Sequence, residues 1–317
     1  MSSPSVFAAK EVAELNSDEV KSMKLPRSIG HRGYPVKYPE NSLESLLAAI
    51  DVGADGIETD VHLSADGYVV VSHDLHTKRV FGSTTEPIRN RNYIGDLEHL
   101  RTVQEPHSKM VLLKEVLDQF VTNPKFEGKW LCIDVKADND VAVIEGIAKV
   151  MMEVMADPLF WKERVVLGIW LVKFLPLCHK HVPEIPLIHI GVDLSYAANF
   201  IHEPSVIGIS MVMVSIYTQR GYDLITQLHD LGKFIYVWTV NPPELMTLCI
   251  ALGVDAVLTD EPVKFEQCRV DALAKAGESR DALGEAERAI SFGTKTRLYG
   301  LSTGIKVLAP LLRRRFE

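Results

Sequence analysis

Residues 56–74 read GIETDVHLSADGYVVVSHD. The stretch opens as an apolar strand, carries Glu58 and Asp60 two residues apart, turns at Asp66-Gly67 and ends on His73-Asp74. An Asp-Gly pair between apolar runs is a hairpin signal, because glycine supplies the positive φ that a tight turn needs. Side chains at i and i+2 share one face of a strand, so the Glu58 and Asp60 carboxylates point the same way. Two carboxylates that close repel each other unless a cation stands between them.

Further out along the chain, short apolar runs alternate with helical patterns. The strand candidates are SIGH (28–31), GIETDV (56–61), WLCIDVK (130–136), VVLGI (165–169), PLIHI (186–190), VIGISM (206–211), FIYVWTV (234–240) and AVLTD (256–260). Helical periodicity predicts helices over 42–52, 112–121, 140–155, 170–179, 193–201, 220–231, 243–252 and one after Pro262. Asn41 or Ser42 is the N-cap of the first, Glu44 lies in its first turn, and Gly53 stops it. Strands that alternate with helices imply a parallel sheet with helical crossovers, and eight such units fit a closed (β/α)8 TIM barrel. The second strand breaks the alternation by running on into the hairpin. An irregular insertion over residues 75 to about 110 follows it, on the face where a barrel carries its active site.

Polar residues gather at the C-terminal ends of these strands. His31 and Arg32 end the first, Glu58 and Asp60 the second, His73 the hairpin, Asp134 and Lys136 the third, Trp238 and Asn241 the seventh. Each alone has an ordinary reading: a solvated loop pair, a surface ion-pair partner, a structural histidine, a core tryptophan. Together, at ends that a barrel makes converge, they read as one site. An arginine is a fixed cationic fork for phosphate, and a histidine carries protons near neutral pH. Three carboxylates with room for water suit a hard divalent cation, Mg²⁺ or Ca²⁺, better than zinc. The other histidines considered, His76, His99, His107, His179, His181 and His202, read as surface residues.

Composition limits the alternatives. The chain has 317 residues, 47% of them hydrophobic, and a formal charge of −8, which speaks against a nucleic-acid partner. Cys132, Cys178, Cys249 and Cys268 form no CxxC pair, and Cys132 and Cys249, in apolar surroundings, read as reduced core residues of an intracellular protein. No signal-peptide pattern is expected at the start, and no run is long enough to span a bilayer. Residues 291–317 hold six basic residues and one acidic, on a body that is otherwise acidic. Leu298, Leu301, Ile305, Leu308 and Leu312 form one apolar stripe there if the segment is helical. The division expected is an N-terminal extension over 1–27, a barrel over 28–275 and a basic, amphipathic tail over 276–317. Such a tail suits an anionic membrane surface, so the expected location is peripheral, on a membrane or lipid droplet.

The motifs GHRGYPVKYPENS, GIETDVHLSADGYVVVSHD, CIDVK, YVWTVN and DAVLTDEP, in this order, resemble those of the glycerophosphodiester phosphodiesterase family. The resemblance covers roughly Ile29 to Pro262. FWKERVVLGIWLV and the basic tail look like the fungal phosphatidylglycerol phospholipase C branch. The resemblance implies a TIM barrel, His31 and His73 as the acid/base pair, Arg32 on the phosphate, and Glu58, Asp60 and Asp134 on a divalent metal. Many members carry glutamate where this chain has Asp134; Lys136 matches the family lysine beside that ligand. Lys136, Trp238, Glu40 and Asn41 are placed with Arg32 on the substrate. The expected reaction is hydrolysis of phosphatidylglycerol to diacylglycerol and glycerol phosphate. The alternatives are a soluble glycerophosphodiester phosphodiesterase and a non-catalytic module that binds a phospholipid headgroup. The pocket mouth is expected to include Phe81, Tyr93 and the apolar WLVKFLPL after the fourth strand.

Overall fold

Ser42 begins the first helix: its side chain accepts from Ser45 N–H, and its backbone is extended. Asp193 and Thr218 cap two later helices in the same way, accepting from Ser195 N–H and Gly221 N–H, and the computed structural model places all eight expected strands. It describes residues 7, 10–11, 24–275, 282–298, 300–302 and 305. The strands are β1 (Arg27–His31), β2 (Gly56–Leu63), β3 (Val69–Val71), β4 (Trp130–Val135), β5 (Val165–Ile169), β6 (Leu187–Gly191), β7 (Val206–Val212), β8 (Phe234–Trp238) and β9 (Ala256–Thr259). Their hydrogen-bonded order is β1-β9-β8-β7-β6-β5-β4-β2-β3, and β1 also pairs with β2. Eight parallel strands thus close into a barrel, with β3 as an antiparallel flap on β2. The main helices are α1 (Leu43–Asp51), α2 (Leu113–Thr122), α3 (Ala142–Val154), α4 (Leu175–His181), α5 (Leu194–Ile201), α6 (Gln219–Asp230), α7 (Pro243–Ala251), α8 (Pro262–Ala274) and α9 (Ala282–Ala289).

The chain divides into two compact units, Gly30–Ile188 and the remainder. In the first, β2 and β4 are parallel with Asp60 opposite Asp134, and every residue of β4 is buried. The hairpin is as expected: Val61 pairs with Val71, and Gly67 takes a φ of 85° in the turn. The insertion is irregular but has its own core of Val70, Ile88, Tyr93, Leu97 and Met110, with Phe81 packed against it. Asp66 at the hairpin tip accepts from Tyr93 N–H and Ile94 N–H, at 2.7 and 3.1 Å, which sews the insertion to the hairpin. Tyr93 is therefore a core residue of the insertion, not part of a pocket mouth, because its ring is where the loop buries apolar area.

In the second unit, β7, β8 and β9 run parallel, and the Tyr236 hydroxyl donates to the carbonyl of buried Phe7 at 2.9 Å. That bond ties the N-terminal extension to β8. The described part of the 276–317 segment packs on barrel helices. Ala286, Ile290 and Leu298 are buried. The Tyr222 hydroxyl donates to Glu287 at 2.8 Å, and the Thr294 hydroxyl to Glu244 at 2.8 Å. Phe292 is 86% exposed and Leu301 half-exposed. Leu308, Leu312, Lys306 and Arg313 to Arg315 lie outside the described residues. Among the described residues no helix is long and apolar enough to cross a membrane.

Candidate active site

Gly33 lets the loop after β1 press onto the start of α1. Its φ is +89°, and a Cβ there would stand 2.4 Å from the Ser45 carbonyl carbon. Arg32 itself takes a φ of 56°, rare for a side-chain-bearing residue. The strained turn is held by bonds at both ends of Arg32: its N–H donates to Glu58 Oε2 at 2.9 Å, and its carbonyl accepts from the Ser45 hydroxyl at 3.0 Å. The guanidinium is thereby aimed at two acids. Nη1 donates to Glu40 Oε1 at 3.0 Å, and Nε lies 3.3 Å from Asp60 Oδ2.

Glu58, Asp60 and Asp134 are buried and offer ligand atoms within 4.8 Å of one another. Three hard oxygen donors at this spacing fit a divalent cation. The Lys136 ammonium bridges two of them, 2.7 Å from Asp60 Oδ1 and 2.6 Å from Asp134 Oδ2. The Trp170 indole N–H donates to the other Asp134 oxygen at 2.8 Å. Burial pushes Glu58 well above the usual carboxylate range, and Asp60 and Asp134 add repulsion. Burial acts the same way on Asp60, but Lys136 and Arg32 overcome it and hold that acid below its ordinary range. Two neighbouring carboxylates are thus driven apart in pKa.

His73 donates from Nδ1 to Asp74 Oδ1 at 2.8 Å, an assignment that follows from Asp74 being ionised. Burial would raise Asp74; bonds from Arg79 and His73 prevail and lower it to about 2. Burial lowers His73, so its ring is neutral near pH 7, with Nε2 as the basic nitrogen.

The structure brings His31, Arg32, Glu40, Asn41, Glu58, Asp60, His73, Asp134 and Lys136 into one unit, on the loop after β1, the β2–β3 hairpin and the end of β4. Asn41, expected on the substrate, is only 5% exposed. Its amide donates to Asp60 Oδ2 at 2.8 Å and accepts from the Thr59 hydroxyl at 2.7 Å, so it orients a carboxylate. Glu40 is likewise engaged by Arg32 and Arg79. Trp238 stands at the end of β8 in the other unit, where its indole N–H donates to the Ser210 carbonyl at 3.2 Å. Sequence reasoning missed Asp74 and Arg79, and it placed Trp170 only among the apolar residues of the pocket mouth, not on Asp134. It also passed over His62, which is buried beside the His73 carbonyl at 3.4 Å. Adjacency to His73 was a signal for Asp74; Arg79 had none, and the Trp170 bond to Asp134 had none, because only the fold brings those partners together.

The model of the glycerophosphoryl diester phosphodiesterase family matches residues 31–264. This chain belongs to that family. It is an enzyme of the phosphoric diester hydrolase class. A glycerophosphodiester phosphodiesterase of Bacillus altitudinis is 27% identical over 77% of this chain and 98% of its own length. A human lysophospholipase D is 27% identical over 77% of this chain and 86% of its own. Among solved structures, the Thermotoga maritima glycerophosphodiester phosphodiesterase matches with a TM-score of 0.61 at 25% identity, covering 76% of this chain and 97% of its own. An Oleispira antarctica phosphodiesterase, solved with sn-glycerol-3-phosphate, shares the fold at 22% identity with a TM-score of 0.66, over 77% and 97% of the two chains.

Proposed function

We propose that this phosphodiesterase cleaves a glycerophospholipid at the phosphodiester next to a glycerol headgroup, converting phosphatidylglycerol to diacylglycerol and glycerol phosphate. The observation that carries the chemistry is the buried cluster of Glu58, Asp60 and Asp134 with Arg32 and Lys136 set against it; the reading assigns proton transfer to His31, next to Arg32, and to His73 at the end of the hairpin. Glu58, Asp60 and Asp134 would hold a Mg²⁺ or Ca²⁺ ion, which supplies Lewis-acid stabilisation of phosphoryl charge when bound. Arg32 and Lys136 offset the charge of the diester monoanion, increasingly as it builds in the transition state. One histidine takes the proton of the attacking hydroxyl, and the other protonates the departing alkoxide; each such transfer contributes about 10²–10⁴-fold. The glycerol hydroxyl beside the phosphoester carbon is the nucleophile, held close by the ester itself. It closes a cyclic phosphate as the other alcohol leaves, and water opens the ring. Asp74 keeps His73 in one tautomer throughout.

The lipid assignment is supported by the basic 291–317 segment and by exposed Phe292, which together suit a peripheral place on an anionic membrane or lipid-droplet surface. A second reading, a soluble glycerophosphodiester cleaved to glycerol 3-phosphate and an alcohol, is supported by the Bacillus relative; a lysophospholipid substrate is supported by the human one. An activity screen with Mg²⁺ and with Ca²⁺ decides among them. It compares phosphatidylglycerol micelles, a lysophospholipid and glycerophosphocholine, and identifies both products. Diacylglycerol from phosphatidylglycerol at the highest kcat/KM is the expected result; faster turnover of glycerophosphocholine overturns the lipid assignment.

A further inference from the structure

Arg79 carries the insertion's ion pairs to Glu40 and Asp74, the acids bonded to Arg32 and His73. Arg79 lies on a four-residue helical turn, Lys78–Phe81, which Gly82 closes in the left-handed region at a φ of 64°. Its guanidinium holds two carboxylates at once. Nε and Nη2 donate to Oδ2 and Oδ1 of Asp74, at 2.7 and 2.9 Å. Nη1 and Nη2 donate to Oε2 and Oε1 of Glu40, at 2.6 and 2.8 Å. Behind these acids stand the groups that matter for the reaction. Asp74 accepts from His73 Nδ1, and Glu40 accepts from Arg32 Nη1. One planar fork therefore joins the loop after β1 to the end of the hairpin, with Glu40 39 residues from Arg79 in sequence and Asp74 only 5.

Stability does not account for this arrangement. Arg79 is 49% exposed, and ion pairs of that exposure add little to folding free energy. What two bidentate contacts fix is direction. An acid held on both oxygens cannot swing, so the ring or guanidinium bonded to it cannot swing either. Lysine, a point charge without a plane, satisfies at most one side of the bridge.

We propose that Arg79 is a positioning residue for the reaction, fixing Asp74 and Glu40 and through them orienting His73 and Arg32. The inference rests on the reading above, in which His73 transfers a proton and Arg32 holds the phosphate.

The test uses the full chain with glycerophosphocholine and Mg²⁺. Arg79→Ala is expected to lower kcat by about 10- to 100-fold, the range for a group displaced by an ångström or so, with KM changed less than about threefold. Because the position is half-exposed, guanidinium at roughly 50 mM should enter the vacated slot and restore much of kcat, while potassium at equal ionic strength should not. Arg79→Lys should recover only part. A kcat within twofold of wild type overturns the proposal, and so does a loss that guanidinium does not restore. A readout without turnover is the exchange-protected Nδ1 proton of His73 in NMR spectra. It should vanish in Arg79→Ala and return with guanidinium; its persistence in Arg79→Ala also overturns the proposal. His73→Ala separates the two levels. If it stays active, the reading of His73 as a proton carrier falls, whereas the His73 resonance still reports whether Arg79 holds the ring.

Discussion

The Lys136 ammonium stands 2.7 Å from Asp60, which is fully buried, and so supplies a positive charge inside the acid cluster. Lys136 is itself held protonated: burial opposes its charge, but Asp134, Asp60 and Glu58 outweigh that. Without it, Glu58, Asp60 and Asp134 face one another with Arg32 as the remaining strong cation among the described residues. Lys136→Met is expected to lower kcat by about 10² or more, since the proposed reaction loses a cation beside the buried acid cluster. It should also make thermal stability more dependent on divalent ions than in wild type. Melting curves with EDTA and with excess Mg²⁺ measure this. An equal metal-induced rise in Tm for both proteins would show that Lys136 does not share the cation's place.

His31→Ala and His73→Ala should each reduce kcat by about 10²-fold or more with the fold intact, as expected for loss of a general acid or base. Each variant is assayed beside its circular dichroism spectrum. Turnover near wild type in either one removes that residue from the mechanism.

The barrel was legible because short apolar runs alternate with helical patterns along the chain, and the acids stand at strand ends where local spacing alone pairs them. Glu58 and Asp60 could be placed on one face by counting residues, and so could Asp134 and Lys136. What could not be counted is how those side chains are held. Asn41 reads from sequence as a helix cap or a substrate contact, but it bonds Thr59 and Asp60, at separations of 18 and 19 residues. Asn241 repeats the device with Thr259 and Asp260 at the same separations, and with the same atoms. An asparagine after one strand thus clamps the Thr-Asp pair of the next, in a part of the chain with a metal-type acid cluster and in one that has none among the described residues. The Arg79 bridge and the Trp170 bond to Asp134 were illegible for the same physical reason: long-range contacts are made by the closed barrel, not by sequence period. Tyr93 was misplaced because an insertion that builds its own core looks, as sequence, like an open loop.

The acid cluster predicts how metal removal behaves. Chelation should abolish activity reversibly, and Glu58→Gln, Asp60→Asn or Asp134→Asn should weaken divalent-ion binding measured by calorimetry. Glu58→Gln should at the same time raise metal-free stability near neutral pH. Burial, with Asp60 and Asp134, holds the folded carboxyl above its unfolded pKa, so its stability contribution is present at acid pH and lost as pH rises. An amide removes that loss. Full activity after exhaustive chelation, with metal absence confirmed by elemental analysis, would refute the metal assignment.

A second titration lies away from the site. His229 donates to Asp255 at 3.1 Å, and this bond raises its pKa against the opposing effect of burial. Asp255 also accepts from Ile235 N–H, which starts the β8 register. The folded pKa lies above the unfolded value, so the stabilisation is full below about pH 6.5 and fades as pH rises through the folded pKa. His229→Gln should lower the urea midpoint at pH 6 and leave it nearly unchanged at pH 8.5. Because the imidazole is 40% exposed, the difference is expected to be about 1 kcal/mol or less. Equal losses at both pH values would mean the residue acts by packing alone.

The lipid assignment predicts a division of labour within the C-terminal segment. Leu298 is buried and Thr294 bonds Glu244, so that part belongs to the folded body. Truncation should therefore spare it. Removing residues 303–317 takes away Lys306 and Arg313 to Arg315 while leaving Leu298 in place. Each basic residue near an anionic surface is worth about 1 kcal/mol, so four together shift partitioning on the order of 10²-fold or more, before the leucines are counted. Turnover of glycerophosphocholine should be unchanged by this truncation. Binding to phosphatidylglycerol vesicles and turnover of vesicle-embedded lipid should both fall. Salt should reproduce the binding loss in the full chain, since charges at a surface are screened within about 8 Å at physiological ionic strength. Vesicle sedimentation at low and high salt makes the comparison. Equal sedimentation of the two proteins would assign the segment to the barrel alone, and the choice of a membrane lipid over a soluble diester would lose its main support.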